Sequence, residues 1–510
     1  MREDPDPIDE LLAATELLEA VARDRSLMDG LRHEERVRLV NAAGAVFSPD
    51  VEERRQQVKA RRRREKQEKR QRDESVLTET GIRRLRAKAV FTTPNVFPPE
   101  DLEQATVDAE ALAHGVGEEQ HCYVCKRHYT HVHHFYDQLC PPCAELNFAK
   151  RSETADLRGR VALLTGGRVK IGYQAGIKLL RAGAALIVTT RFPRDAALRY
   201  AAEDDVDDWG DRLEVYGLDL RHTPSVEGFC HHVSTEYARL DVIVNNACQT
   251  VRRPADFYRH MLALETAALD TMPAHARALL GGVDGLRGPE LITGRRPELV
   301  EAVAKTLAGV GRSAELSQAE LLPEDAPDQG HLFPAGDLDQ DLQQVDLRDR
   351  NSWRLTLAEV SSVELLETQL VNAVAPFVLN ARLKPLMLRT PERDKHIVNV
   401  SAVEGQFYRR FKTTKHPHTN MAKAALNMMT RTSATDYHAD GIHMNSVDTG
   451  WVSDEDPLPI AEQKRAEHRF HPPLDIVDGA ARIVDPVIDG HNTGAHLWGQ
   501  FLKDYRPTDW

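Results

Sequence analysis

Residues 160–172 read RVALLTGGRVKIG, and this stretch decides the fold expected for most of the chain. Its apolar start is typical of a buried strand, and the glycines behind it mark a tight turn. An amphipathic stretch with Ile177, Leu179 and Leu180 follows, and a second apolar run, ALIVTTR, occupies 185–191. Strand, turn, helix and strand in this order predict a β-α-β unit with a dinucleotide pyrophosphate at the N-terminus of its helix.

Further motifs follow the first in a fixed order. The turn itself is Thr165-Gly166-Gly167-Arg168-Val169-Lys170-Ile171-Gly172, a third apolar run ends at Leu218-Asp219-Leu220, and a fourth ends at Asn245-Asn246-Ala247-Cys248. This series resembles the short-chain dehydrogenases/reductases, whose turn reads T-G-x-x-x-G-x-G and whose fourth strand ends in N-N-A-G. Lys170 stands where the middle glycine belongs, and Cys248 replaces the last glycine. The resemblance covers residues 155–250 and 361–510.

The resemblance implies a bound nicotinamide cofactor, and the end of the second strand indicates which one. An acidic residue there would bond the ribose of NAD, whereas this chain has Thr190 and Arg191. An arginine suits the 2′-phosphate of NADP, so NADP is expected rather than NAD; alternatively Arg191 only begins a surface loop. The implied cofactor-binding residues are Thr165, Gly166, Arg168, Lys170, Ile171, Gly172, Arg191, Asp219, Leu220, Asn246, Ala247, Lys423, Thr449, Gly450 and Val452.

The same resemblance implies four catalytic positions. They are Asn372 for a water in the proton relay, Ser401 beside the family's serine position at Ala402, Thr419 at the tyrosine position, and Lys423 as the family's lysine. In the family, the tyrosine is the general acid for carbonyl reduction. A threonine hydroxyl is far too weak an acid to replace it near neutral pH. His416, His418 and Tyr408 are therefore alternative proton donors, each of which is otherwise an ordinary loop residue.

Two functions of different class remain open. The first is an NADP-dependent oxidoreductase that interconverts a carbonyl and an alcohol with a non-standard proton donor. The second is a catalytically inactive NADP-binding scaffold or regulatory protein, which Ala402 and Thr419 favour. The sequence names no small-molecule substrate, and the resemblance of the closing segment implies a homodimer or homotetramer.

Two cysteine pairs predict a metal site ahead of the dinucleotide-binding region. Cys122-x-x-Cys125 and Cys140-x-x-Cys143 are separated by 14 residues, a spacing close to that of zinc sites. Four thiolates can surround zinc tetrahedrally when each pair lies on a tight turn. Four free thiols or one redox dithiol are the alternatives. Because four cysteines suffice, we expect a structural zinc and not a catalytic one.

The N-terminal region is expected to be helical and then strongly charged. Apolar residues recur at helical spacing from Leu11 to Val21, and residues 52–72 read EERRQQVKARRRREKQEKRQR. That run is either a solvated helix or disordered arm, or a basic arm for an anionic partner such as nucleic acid. Its glutamates and glutamines, and a net charge of −13 for the chain, make nucleic acid the less favoured partner.

The overall expectation is an α/β protein of 510 residues. A doubly wound, parallel-sheet Rossmann-type domain (155–510) carries an insertion at about 251–360 and follows a helical region with basic arm and linker (1–100) and a zinc-binding module (101–154). No run of apolar residues is long enough to cross a membrane, and the start, MREDPDPIDE, lacks the apolar core of a signal peptide. Together with the metal-type cysteine spacing, this predicts a cytoplasmic protein without a membrane partner.

Overall fold

The computed structural model describes residues 7–47, 51–93, 115–281, 312–325, 329–408, 412–453, 455–468 and 471–510. The part of the predicted linker that follows residue 93 lies outside these ranges, as does the central part of the predicted insertion. The chain divides into two compact units, Met1–Ser75 and Val76–Trp510. The three-part division predicted from the sequence stays a prediction. Within the described ranges, no helix combines the length and the apolar character that crossing a membrane requires.

The first unit is helical, as predicted. Helices α1 (Pro7–Arg23) and α2 (His33–Phe47) leave their apolar side chains largely exposed. The charged run lies in one long helix, α3 (Val51–Thr78), where Arg61 pairs with Glu65 one turn later at 2.8 Å. Such pairs stabilise an otherwise solvated helix, which agrees with the first interpretation of this run.

The second unit contains a small hairpin and an eight-stranded sheet. The hairpin pairs β1 (Gly115–His121) with β2 (His128–His131) in antiparallel fashion. The sheet has the order β10-β9-β8-β7-β6-β3-β4-β5 and is parallel except for the β9-β10 pair. Its strands are β3 (Val161–Thr165), β4 (Ala185–Thr190), β5 (Leu213–Gly217), β6 (Val242–Asn245), β7 (Lys395–Ser401), β8 (Ile442–Asp448), β9 (Phe501–Lys503) and β10 (Arg506–Thr508).

The described part of this unit contains fourteen helices, several of which cover the two faces of the sheet. They are α4 (Gly81–Arg86), α5 (Pro141–Ser152), α6 (Lys170–Arg181), α7 (Pro193–Ala201), α8 (Val206–Trp209), α9 (Thr223–Glu236), α10 (Ala255–Thr266), α11 (Ala274–Arg277), α12 (Ser313–Leu316), α13 (Ser362–Gln369), α14 (Ala375–Met387), α15 (Pro417–Ala439), α16 (Leu458–His468) and α17 (Ile476–Thr493). Side chains along a strand alternate between the faces, so Leu164 joins the core under α6 and α17 while Leu163 joins the core under α9 and α14. The predicted doubly wound Rossmann-type fold is confirmed.

The predicted insertion packs against α7 through α10, and its residues 279–281 bond the edge strand β5 at Val215. Glu265, in the last turn of α10, accepts hydrogen bonds at 3.0 Å from the backbone N–H groups of Arg194 and Asp195. It therefore caps the N-terminus of α7, where a carboxylate suits the helix dipole. Burial nevertheless raises the pKa of Glu265 to about 7. This contact holds the described part of the insertion beside the carboxyl end of β4.

Candidate dinucleotide site and cysteine cluster

The glycine turn after β3 is shaped by two close backbone approaches. Gly166 adopts φ +70°, and a Cβ there would lie 2.9 Å from the Cα of Ala247. A Cβ on Gly172 would lie 2.2 Å from the carbonyl oxygen of Gly166, so α6 could not begin here with any larger residue. Lys170 adopts φ +55°, the left-handed region that glycine enters freely. The chain thus keeps the backbone shape of the missing middle glycine and adds an ammonium group.

Hydrogen bonds tie the ends of β3 and β6 together. Asn246 donates from Nδ2 to the carbonyl oxygens of Thr165 (3.0 Å) and Gly166 (3.1 Å), and the Ala247 N–H donates to the Thr165 hydroxyl at 3.0 Å. β3 and β6 are the strands from which the sheet grows in opposite directions. In such sheets, ligands bind in the crevice outside the strand ends at this point.

A cavity of about 1250 Å³ lies at this crevice. Of the fifteen residues expected to hold the cofactor, all except Thr165 line it. Thr165 lies behind the wall, where its hydroxyl is occupied by Ala247. The structure therefore brings side chains from both halves of the sheet to one space.

Arg191 lies in the cavity wall directly after β4. Its Nη2 donates to the hydroxyl of Tyr258 at 2.7 Å, and its guanidinium lies 4.6 Å from the centre of the Tyr258 ring. Burial disfavours the phenolate, but Arg191 and Arg253 more than offset this and lower the pKa of Tyr258. The charge of Arg191 also helps to lower the pKa of Asp219, which Arg221 holds.

The glycine turn after β3 also contains two basic residues, and both already have acidic neighbours. Arg168 donates to Asp195 at 2.7 Å and is buried. Lys170 lies 4.0 Å from Asp339. Although burial opposes its charge, Glu455, Asp341 and Asp339 raise the pKa of Lys170. Lys170 therefore stays charged at the N-terminus of α6, where a pyrophosphate would lie.

A chain of buried ion pairs connects the cavity to the insertion, and sequence reasoning missed it. Asp219, expected near the adenine, is held by Arg221 at 2.7 Å, and Arg221 also donates to Glu367 at 3.0 Å. Glu367 accepts from Arg252 at 3.0 Å, and Arg252 makes two bonds of 2.7 Å to Asp325. Although burial opposes the charge, Arg221 keeps the pKa of Asp219 below its ordinary value. No spacing rule joins residues so far apart in sequence.

The four predicted catalytic residues divide between the cavity and its surroundings. Ser401 and Lys423 line the cavity, and Lys423 Nζ donates to the carbonyl oxygen of Val400 at 2.8 Å. Asn372 lies in a π-helical turn (Leu370–Val374), a feature often found at functional sites, and exchanges two hydrogen bonds with the backbone of Gln249. Thr419 is buried outside the cavity lining, and its hydroxyl has no hydrogen-bond partner among the described residues.

The alternative proton donors differ in position. His418 is buried outside the lining, 3.4 Å from Glu364. His416 lines the cavity and stacks on Trp353 of the insertion at 3.9 Å, and burial lowers the pKa of His416 to about 4. It is therefore a neutral imidazole near pH 7. Tyr408 also lines the cavity, half-exposed, with its hydroxyl 3.4 Å from that of Thr508.

The four cysteines of the two pairs converge on one point. Their sulfur atoms all lie within 4.8 Å of one another, and the Sγ atoms of Cys125 and Cys140 are 3.5 Å apart. Zinc–sulfur bonds of about 2.3 Å in a tetrahedron place the sulfurs about 3.8 Å apart, so the cluster fits such an ion. The first pair lies on the turn of the β1–β2 hairpin, where Lys126 takes φ +63°, and Cys140 precedes α5.

Comparison with known families agrees with the fold and the cavity. Residues 160–271 match the family model described as short chain dehydrogenase, and residues 350–474 match the one described as enoyl-(acyl carrier protein) reductase. The gap between the two matches falls within the predicted insertion. The two matched segments are therefore similar to short chain dehydrogenases and reductases.

Individual proteins resemble the chain over different spans. Uncharacterized protein R665 of Acanthamoeba polyphaga mimivirus is 29% identical over 393 residues, which cover 75% of this chain and 74% of that protein. A span of that length extends into the residues before 155. Hydroxynaphthalene reductase-like protein Arp2 of Metarhizium guizhouense is 24% identical over 214 residues, or 39% of this chain and 73% of that protein. A short chain dehydrogenase structure from Burkholderia cenocepacia, in complex with NADP, is 17% identical and covers 68% of this chain and 96% of that chain, with a TM-score of 0.41.

Proposed function

We propose that the Val76–Trp510 unit binds NADP and acts as an oxidoreductase that interconverts a carbonyl and an alcohol. The observation that carries this proposal is that the glycine turn, Arg191 and Lys423 all line the same cavity, at the ends of β3 and β6. The family matches support the same reaction class. The substrate is a small molecule whose identity the cavity does not specify.

The choice of NADP rests on the charge around Arg191. The guanidinium is hydrogen-bonded to the Tyr258 hydroxyl and lies near the rings of Tyr258 and Phe192. A planar guanidinium held in this way can bond a 2′-phosphate through two donors. The carboxylate that would bond the ribose of NAD is absent at this strand end, where Thr190 precedes Arg191.

The reacting end lies near Lys423 and Ser401. The bound nicotinamide supplies or accepts the hydride. Lys423 has three donors, of which one is given to Val400, and the others are proposed to hold the cofactor ribose. The Ser401 hydroxyl has no partner among the described residues and is proposed to orient the substrate oxygen.

Tyr408 is the proposed proton donor. It carries a phenol, the acid that the family uses, and it lies in the cavity lining on the segment that follows β7. His416 is a weaker proposal because burial keeps it neutral at the pH where the reaction would run. Thr419 has neither the acidity nor a place in the lining.

Oxidation of NADPH across a panel of ketones and aldehydes tests the reaction. We expect turnover by the wild type and a loss of about 10²–10⁴-fold in Tyr408→Phe, the usual value of general acid catalysis. Tyr437→Phe is the matched control, because the Tyr437 hydroxyl donates to the Asn380 carbonyl away from the cavity. Unchanged turnover in Tyr408→Phe would refute Tyr408 as the donor.

The alternative is an NADP-binding protein without turnover. Ala402 lines the cavity without a hydroxyl, and Thr419 is buried outside the lining, which favours this alternative. Activity that emerges only in the double variant Ala402→Ser, Thr419→Tyr, combined with tight NADP binding by the wild type, would establish the binding role and exclude the enzyme.

The cysteine cluster is proposed to hold one structural zinc ion. Cys122 and Cys140 are buried, all four sulfurs converge, and the chemistry of four thiolates suits zinc. A cytoplasmic location and a homodimer or homotetramer are proposed from the sequence and the family resemblance, respectively. Fractionation and light scattering of the purified chain test these two.

A further inference from the structure

The cysteine module, defined here as residues 115–152, forms part of the wall of the dinucleotide cavity. Tyr123 and Lys126 line the cavity together with Gly450 and Trp451. Tyr123 stands between Cys122 and Cys125 in the sequence. The position of its backbone is therefore set by whatever holds those two sulfurs.

The Tyr123 hydroxyl supports the loop that follows β8. It accepts a hydrogen bond of 2.9 Å from the backbone N–H of Trp451, and a Cβ on Gly450 would lie 3.5 Å from the same oxygen. This loop, residues 449–453, contains Thr449, Gly450 and Val452, which are proposed to contact the cofactor. A residue of the cysteine module thus positions the backbone at the nicotinamide end of the site.

Apolar packing makes the same connection. Cys122 and Cys140 belong to one buried cluster with Val452 and Ile476, and Ile171 of the glycine turn packs against that cluster. Beyond it, Arg151 of α5 donates to Asp475 at 2.7 Å and to Asp478 at 2.9 Å, at the N-terminus of α17. The module is therefore continuous with the cofactor wall and anchored on its far side.

We propose that metal occupancy of the cysteine cluster sets the position of the 449–453 loop and thereby the affinity for the dinucleotide. Tyr123 is the positioning residue that connects the two. Without the metal, the cysteine module loses the metal–sulfur bonds that fix its shape, because such small modules fold around their ion. The Trp451 N–H then loses its acceptor, and the loop no longer presents a fixed surface. The identity of the ligand rests on the proposed function.

Hydrogen exchange of the full-length chain tests the coupling without any cofactor. Peptides covering 449–453 are compared in the zinc-loaded wild type, the chelated wild type, zinc-loaded Tyr123→Phe and zinc-loaded Tyr129→Phe. Tyr129 is the matched control, since its hydroxyl donates to the Asp137 carbonyl within the module. We expect faster exchange of the Trp451 amide after chelation and in Tyr123→Phe, with no change in Tyr129→Phe.

Titration with NADPH, followed by its fluorescence, is the second measurement. Tyr123→Phe with its zinc retained should bind about three- to tenfold more weakly, the usual value of one hydrogen bond. Equal exchange in the 449–453 loop with and without zinc would overturn the proposal, as would wild-type affinity in Tyr123→Phe. Chelation that unfolds the whole sheet would overturn it too. If the wild type binds no NADPH, the proposed function fails, while the exchange measurement still decides the coupling.

Discussion

Replacement of Arg191 by alanine should remove most of the preference for NADP over NAD. The guanidinium lies in the cavity wall after β4 and has the Tyr258 hydroxyl as its hydrogen-bond partner among the described residues. Its remaining N–H donors are free to bond a phosphate, which NADP carries and NAD lacks. The substitution takes away a charge at the end of β4, and Arg168 of the glycine turn is already bonded to Asp195.

The expected magnitude follows from the type of bond. A hydrogen bond between charged groups contributes about 1.5–3 kcal/mol, and each 1.4 kcal/mol or so is a factor of about ten in affinity. NADP should therefore bind about 10- to 150-fold more weakly to Arg191→Ala. The affinity for NAD should change by less than about threefold, because NAD has no 2′-phosphate to lose and the rings of Tyr258 and Phe192 remain in the wall. The loss for NADP should shrink as salt rises, since the lost contact is ionic.

Calorimetric titration of both cofactors at fixed ionic strength measures the preference. Tyr258→Phe is the matched control, because it removes the hydroxyl that Arg191 bonds and keeps the guanidinium and a ring beneath it. That variant should retain the preference for NADP. Equal weakening of NAD and NADP in Arg191→Ala, or an unchanged preference, would refute the assignment of the phosphate site to this residue.

Four further predictions follow from other parts of the molecule. Elemental analysis of the purified chain should find about one zinc per chain, and Cys140→Ser should lose it; wild-type protein that is purified without any zinc and with full folding would contradict the site. Lys423→Ala should weaken NADP about tenfold in a binding titration, and full affinity would exclude a ribose contact. Burial raises the pKa of Glu265 in the folded state to about 7 from 4.5. The stability that Glu265 contributes is therefore complete below pH 4.5 and is lost as the pH rises through 7. Glu265→Gln should flatten this part of the curve of unfolding free energy against pH, measured by urea unfolding. The basic arm should show no sequence-specific binding of nucleic acid and at most a weak association that falls steeply as salt rises; salt-resistant binding in a mobility-shift assay would disprove this.

The sheet could be predicted from local patterns because its chemistry is local. The turn at Gly166 and Gly172 requires residues without a side chain, since a Cβ would meet backbone or Asn246 within 3 Å. Buried parallel strands also need continuous apolar runs, and each run predicted between 160 and 250 is a strand or the end of one. The fold was therefore readable from short stretches, whereas the choice of proton donor was not.

The walls of the cavity could not be predicted because distant segments build them. The contact of Arg252 with Asp325 and the stack of Trp353 on His416 join residues that no periodicity relates. Thr419 and Lys423 lie one helical turn apart, a spacing that places two side chains on the same face of a helix. Of these two residues, however, only Lys423 lines the cavity. Side-chain direction at the start of a helix depends on what packs there. Here His416, with φ +43°, sets the entry of the chain into α15.

The apolar cluster shared by the cysteine module and α17 has a consequence for folding. Leu474, Ile476 and Val477 are covered by Tyr136, Leu139 and other side chains that precede residue 155. A shortened chain that began at 155 would leave these side chains in water and would be prone to aggregate. The segment before 155 therefore covers an apolar face of the sheet-containing fold from within the same chain. Deletion of this segment, with or without metal in the remaining chain, should therefore lower the yield of folded protein.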